Sequence, residues 1–265
     1  MTSSAVLGSA AGPVLFARYA YPPNALGYCG PADAAEVFGT AAEGTDLRSL
    51  ASLATRFEGA WPYLQLIAAC NRIDDPLDRR VVEAYWVGND LLDRVPSGVL
   101  VASLDDRFGK RAGADFEAVA AAVPFGAVAH HSFHVFGVYP WLGLLRAGMD
   151  GAPLTVLDRC RIRWGTVVSA EGDVVTVRNR VLTFEGHRLA LGEERVEQVR
   201  AGSHGVRLVR GLRPGDTVSL HWDWVCDRLH PAAARSLRRT TARTLRAVNS
   251  LPKPGPVVAC DRRGG

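Results

Sequence analysis

The densest group of potential ligands in the chain is His130-His131-Ser132-Phe133-His134. In a helix, His130 and His134 stand four residues apart and stack on one face, the spacing that lets two imidazoles share a metal ion, with His131 as a third donor beside them. Neither an H-E-x-x-H motif nor a Glu-x-x-His pair is present, so the cluster by itself names no metal. Glu58 and Glu83 lie in apolar stretches, where an ionised carboxylate needs a partner, and Arg56 or a protonated histidine can serve. The same residues read as well as histidines and glutamates satisfying one another inside a helical array. Upstream, the turn-rich run Tyr21-Pro-Pro-Asn24-Ala-Leu-Gly27-Tyr-Cys29-Gly30-Pro31 has an irregular backbone of the kind that displays reactive groups. Cys29 is then a second candidate, a thiol facing the histidines; otherwise the run only covers the end of a bundle.

The second half of the chain offers another constellation. Cys160 lies between Arg159, Arg161 and Arg163. Cations that close favour the thiolate, the form that binds soft metals. On a strand, His221 and Asp223 share a face, so Asp223 can fix the tautomer of His221, while Val218, Leu220, Trp222 and Trp224 line the other face as core. The competing reading is an inert core thiol and a hydrogen-bonded surface histidine. The five cysteines (Cys29, Cys70, Cys160, Cys226, Cys260) are scattered and form no C-x-x-C, so any cysteine chemistry is that of free thiols.

The elements that must position these residues change period near the middle of the chain. Residues 33–148 read as helices: Asp46 caps one, Pro62 opens the next, Asp75-Pro76 starts a third through Trp86, and residues 105–110, 115–123 and 125–146 complete an array that Pro140 ends or kinks. After a turn-rich link at Gly148–Pro153 come six short β-rich runs, 160–168, 174–178, 188–191, 196–200, 206–209 and 217–225, whose spacing suggests a small barrel. Pro231 opens a final helix to about Asn249. It carries Arg235, Arg238, Arg239, Arg243 and Arg246 on one face, as a solvated basic surface or a seat for an acidic partner. The fold class expected is α+β: a helical domain over 14–150, a β-barrel with its closing helix over 156–249, and a flexible tail over 250–265.

Cys160-Arg-Ile-Arg-Trp-Gly165-Thr-Val167 resembles the opening of the HypC (HupF) family of hydrogenase-maturation chaperones, in which a cysteine precedes a glycine by five residues and a strand follows. Gly215-Asp216-Thr-Val218-Ser-Leu220-His221-Trp-Asp-Trp224 is similar to that family's glycine-aspartate, alternating strand, histidine and aromatic segment. The helix from Pro231 to Leu245 matches its closing helix. The likeness covers residues 158–248 and leaves the helical half unmatched. It implies a HypC-like, OB-like barrel and an iron ion, carried with cyanide and carbonyl ligands, on Cys160 with support from His221 and Asp223. It further implies a HypD-like maturation protein or a hydrogenase large-subunit precursor as partner.

Composition sets the outer bounds. With 48% hydrophobic and 22% charged residues among 265, the chain can bury a real core, and collagen-like, coiled-coil and disordered classes are set aside. Residues 1–150 carry 11 basic and 16 acidic groups, whereas residues 151–265 carry 20 and 11, an asymmetry that suits two modules with different surfaces. No apolar run is long enough to span a bilayer, and the amino-terminal stretch lacks the basic region of a secretory signal, so a cytoplasmic protein is expected. No phosphate-cradling glycine loop and no basic-aromatic footprint point to nucleotide or nucleic acid. Two functions remain. One is an accessory protein, more a metallochaperone or adaptor than an enzyme. The other is a metal- or haem-dependent enzyme that uses His130, His131 or His134, with Cys29.

Overall fold

The computed structural model describes residues 10–32, 34–44, 46–109, 125–149 and 151–250. Along the first part run α1 (Gly12–Ala25), α2 (Ala34–Glu43), α3 (Leu47–Ala54), α4 (Trp61–Cys70), α5 (Arg79–Trp86) and α6 (Ser97–Leu104). They are followed by α7 (His131–Phe133), which continues as a wider π turn over His134–Val138, then α8 (Trp141–Arg146) and α9 (Ala152–Cys160). The strands are β1 (Arg163–Glu171), β2 (Val174–Glu185), β3 (Arg188–Arg200), β4 (Gly202–Ser203), β5 (Val206–Arg207), β6 (Thr217–His221) and β7 (Trp224–Arg228), and α10 (Pro231–Asn249) closes the described chain. The class is α+β. Five strands form one mixed sheet in the order β1-β2-β3-β7-β6, and β6 pairs back onto β1, so the sheet closes on itself.

Several elements begin where local chemistry dictates. Asp46 caps α3 through the Ser49 N–H at 3.0 Å, and a proline sits in the first turn of α4. α5 starts later than the Asp75-Pro76 signal suggests: Asp75 caps only a turn at Leu77, and Asp78 accepts from the Arg80 N–H at the true helix start. The expected runs 188–191 and 196–200 are one strand, β3, while 217–225 is two, β6 and β7, folded at Trp222-Asp223. Trp222 takes the left-handed conformation there, with φ of 52°. Of the expected segments, 115–123 and the tail beyond 250 lie outside the described residues.

Three departures matter for the site. α1 occupies the mildly apolar amino-terminal stretch, for which no helix was expected, and the start of the run expected to be a loop; Pro22 and Pro23 sit in its last turn. It is buried on two sides. Leu15, Phe16 and Tyr19 join one core with Tyr63, Leu64, Trp86, Phe133, Leu157, Leu237 and, from the strands, Leu182, Leu189 and Trp222. Val14 and Ala17 join the other with Val37, Ala41, Val167, Val177, Val218, Leu220 and Trp224. A helix covered all round shows no amphipathic stripe, which is why periodicity passes over it. Second, the single helix expected over 125–146 is broken: Gly126 has φ of 106°, and His130 is extended at φ −127°, ψ 145°. Third, Cys160 ends helix α9 instead of opening a strand, and β1 begins at Arg163.

Candidate metal centre

The broken helix decides which histidines meet. His130 is the cap of α7, its Nδ1 accepting the Ser132 N–H at 3.0 Å, so it does not stack on His134 at helical spacing. His134 turns toward α4, where its Nδ1 shares a hydrogen bond with the Tyr63 hydroxyl at 3.1 Å, and its ring meets Tyr139 at 4.6 Å. His131 points elsewhere. Its ring lies 4.9 Å from that of His221, and its Nε2 lies 3.9 Å from the Cys160 sulfur. His131, Cys160 and His221 each offer one ligand atom, all within 4.8 Å of one another and all buried.

The trio is assembled from three distant stretches. His131 comes from the first turn of α7, Cys160 from the last residue of α9 and His221 from the last residue of β6. α9 is held in place by Asp158, which accepts from Arg161 at 2.9 Å and from the Leu182 N–H of β2 at 2.9 Å. The β6–β7 turn is tied to α9 through the Trp222 N–H, which donates to the Arg159 carbonyl at 2.7 Å. Trp86 closes the site from α5, its ring 4.6 Å from His131 and 5.6 Å from His221.

The His221 tautomer is set by α1, not by Asp223. Nδ1–H of His221 donates to the Tyr19 carbonyl at 2.6 Å, which leaves a lone pair on Nε2. That Nε2 is buried beside the Cys160 carbonyl and makes no well-aligned hydrogen bond. Asp223 lies in the turn, exposed, and pairs with Arg159. His131 donates from Nε2 to the Cys160 carbonyl at 2.9 Å and faces the Tyr85 hydroxyl through Nδ1 at 3.3 Å. A hydroxyl both donates and accepts, so Tyr85 serves either tautomer, including the one that frees Nε2 for a metal.

Electrostatics differ from the expectation for Cys160. The three flanking arginines face other groups: Arg159 pairs with Asp223 and Glu197, Arg161 with Asp158, and Arg163 with Glu197 and the Trp222 carbonyl. With their charge engaged there, burial dominates and pushes the Cys160 thiol well up, with the nearby Cys29 sulfur adding to the shift. Burial likewise lowers His131 to about 4 and holds His221 well below the usual histidine range. The pocket is therefore neutral at pH 7, one thiol and two uncharged imidazoles. Glu58 is exposed, and Glu83 is taken up by Arg79 at 3.3 Å and by His230 at 3.7 Å, so neither carboxylate joins the centre.

The residues fit a metal ion. In a tetrahedral site with one sulfur and several nitrogen ligands, donor atoms sit about 3.3–3.6 Å apart. The His131–Cys160 pair at 3.9 Å needs to close by only a few tenths of an ångström. Two imidazoles and one thiolate suit a borderline-soft divalent ion, and three protein ligands leave a coordination position for an exchangeable group.

A family described as of unknown function, DUF6390, matches residues 8–254. The chain belongs to the DUF6390 family. The match takes in α7, α9 and β6 together, so the whole trio lies within the extent of DUF6390. No curated protein and no solved structure matches the chain.

Sequence reasoning pairs Cys160 with His221 and includes His131 in a separate cluster. What it passes over is that these belong to one site, and that Tyr19, Tyr85 and Trp86 frame it. Tyr19 acts through its backbone carbonyl, for which no side-chain signal exists. Tyr85 and Trp86 carry the legible trace of an aromatic wall, two large rings in the apolar stretch of α5.

Proposed function

We propose that this protein is a metal-holding accessory protein, and that His131, Cys160 and His221 grip a soft divalent cation, iron in the first instance. The single observation that carries this reading is the buried His221 Nε2, without a well-aligned hydrogen bond, gathered with a thiol and a second imidazole within 4.8 Å of one another. An unmet lone pair in the interior costs about 1–3 kcal/mol, and a metal bond removes that cost.

The assignment to nickel–iron hydrogenase maturation rests on the HypC-like order of elements: a cysteine before β1, a Gly-Asp turn before the strand ending in His221, a closed five-stranded sheet and a closing helix. In this reading iron, with its diatomic ligands, is cargo and not a resident cofactor. His131 lies outside the HypC-like stretch, so the helical half contributes a ligand. A HypD-like protein or a large-subunit precursor is the partner, docking where Arg235, Arg239 and Arg246 are exposed on α10. No helix among the described residues is long and apolar enough to cross a membrane.

Metal analysis of protein purified without oxygen tests the reading. Cys160→Ala and His221→Ala are expected to lose the ion, whereas His130→Ala retains it. Cyanide and carbonyl stretches in the infrared spectrum, together with co-purification of a maturation partner, would support the hydrogenase assignment. A protein that binds neither iron nor cobalt sinks it. The second reading, a metal-dependent enzyme, draws on the coordination position that three protein ligands leave for substrate. It requires turnover that disappears in Cys160→Ala.

A further inference from the structure

Trp222 follows the ligand His221 in a conformation that its residue type does not favour. It turns the chain between β6 and β7 with φ of 52°, the left-handed region in which a bulky side chain is an outlier. Glycine or asparagine is the ordinary occupant of such a position. Contacts on every side hold the tryptophan there. Its N–H donates to the Arg159 carbonyl at 2.7 Å, and its own carbonyl accepts from the Arg163 guanidinium. Tyr28 stacks on the indole, with ring centroids 4.5 Å apart and planes 21° apart. Beneath, the ring packs into the core that also takes in Cys160, so that only 7% of the residue is exposed. Backbone strain that the surroundings over-determine in this way gathers at functional sites.

So clamped, the indole delivers its polar atom to the centre. Nε1–H is buried and makes no well-aligned hydrogen bond. Within its hydrogen-bonding reach lies the Cys160 sulfur. An indole N–H is a donor only, and a neutral thiol is a weak acceptor for it. A thiolate is a far stronger one, because a hydrogen bond to a charged group is about twice as strong as one between neutral groups. The arginines that flank Cys160 are spent on Asp158, Glu197 and Asp223, so they leave this donation to the indole.

We propose that Trp222 is a positioning residue of the metal centre, its indole N–H donating to the Cys160 thiolate once the His131–Cys160–His221 trio holds a divalent cation. The proposal rests on the reading of that trio as a metal site. The bond stabilises thiolate against thiol, draws electron density from the sulfur and so lowers the energy of the orbitals with which sulfur binds the ion. It also fixes where the sulfur points, since the turn that clamps the indole is the one that carries His221. Loading releases the Cys160 proton to solvent; the indole keeps its proton throughout, and no oxidation state changes.

Cobalt(II) is the probe, added without oxygen to the full chain. Wild type is expected to bind one ion with a sulfur-to-cobalt charge-transfer band that Cys160→Ala abolishes. Trp222→Phe keeps an aromatic ring against Tyr28 but has no N–H to give. Its band should move to longer wavelength, and its cobalt affinity should fall about 10–100-fold, the usual loss when an outer partner of a ligand is removed. A band that stays at the wild-type wavelength overturns the role of the indole even where affinity falls, because looser packing alone leaves the electrons of the sulfur as they were. Thermal melts show whether the variant is folded. If it is not, the benzothiophene analogue of tryptophan, in which sulfur replaces the N–H, is placed at position 222 alone and judged by the same band. Absence of cobalt binding in the wild type, or a band that survives Cys160→Ala, overturns the metal site itself and this proposal with it.

Discussion

His221 gives its Nδ1 proton to a backbone carbonyl of α1, and that bond decides which of its nitrogens can meet a metal. The same burial that shapes the centre makes its histidines a source of acid sensitivity. His130 and His134 are lowered to about 3 and His131 to about 4, each by desolvation first. Unfolded, these rings take up protons near pH 6.5, while the folded rings refuse them until far lower pH. The unfolded state therefore binds more protons below 6.5. Stability is fully present above that value and falls as pH drops toward 4, by up to about 1.4 kcal/mol per pH unit for each ring. Urea titrations at pH 7, 6 and 5 should show a steepening loss, and removing one ring with His130→Gln should make the slope shallower. An unchanged midpoint across that range would count against the burial of these imidazoles.

At the scale of elements, the end of α9 matters most because it delivers Cys160. Asp158 and Arg161 form a buried pair, and the Arg161 side chain is only 1% exposed. Removing one member of such a pair costs about 3–5 kcal/mol, since the other charge stays buried without compensation. Asp158→Ala should therefore lose about that much stability in denaturant, and it should weaken cobalt binding because α9 loses its tie to β2. α5 meets α10 at a second sensitive joint. Gly88 follows α5 with φ of 94°, and a Cβ there would lie 2.3 Å from the Thr240 Oγ1. Gly88→Ala should cost about 1–3 kcal/mol by strain and overlap. Adding Thr240→Ala should return the overlap part alone, as a double-mutant cycle would show.

Considered as a whole, the molecule shares its interior between the helical half and the sheet. α1 belongs to both cores, the site draws ligands from α7, α9 and β6, and a carbonyl of α1 orients one of them. Unfolding followed by circular dichroism and by tryptophan fluorescence should give one coincident transition. A fragment spanning residues 151–250 would expose the Ser219–His221 face that α1 covers and the Trp224 ring that Tyr21 and Phe38 cover, and it should aggregate or stay unfolded. It should also fail to bind cobalt with the affinity of the full chain, lacking His131. A fragment that folds and binds equally well would show that the helical half is dispensable.

The α+β class, the cap at Asp46 and the start of α10 at Pro231 were legible from residue types and periods, because caps, turns and alternation are local, while the pairing of Cys160 with His221 came only from the HypC-like resemblance. α1 was not, since a helix buried on every side has no polar stripe to reveal it. Nor was the break at Gly126 and His130, where the need to bury three histidine side chains in different directions overrides helical spacing. The sequence alone determined which side chains can hold a metal. Only the tertiary structure decided that His131, and not His130 with His134, completes the set, that Tyr19 rather than Asp223 orients His221, and that the arginines beside Cys160 serve carboxylates instead of the sulfur. The reason is that ligand distance and charge partnership depend on chain segments brought together from 29 to 202 residues apart, a separation across which no local pattern in the chain carries information.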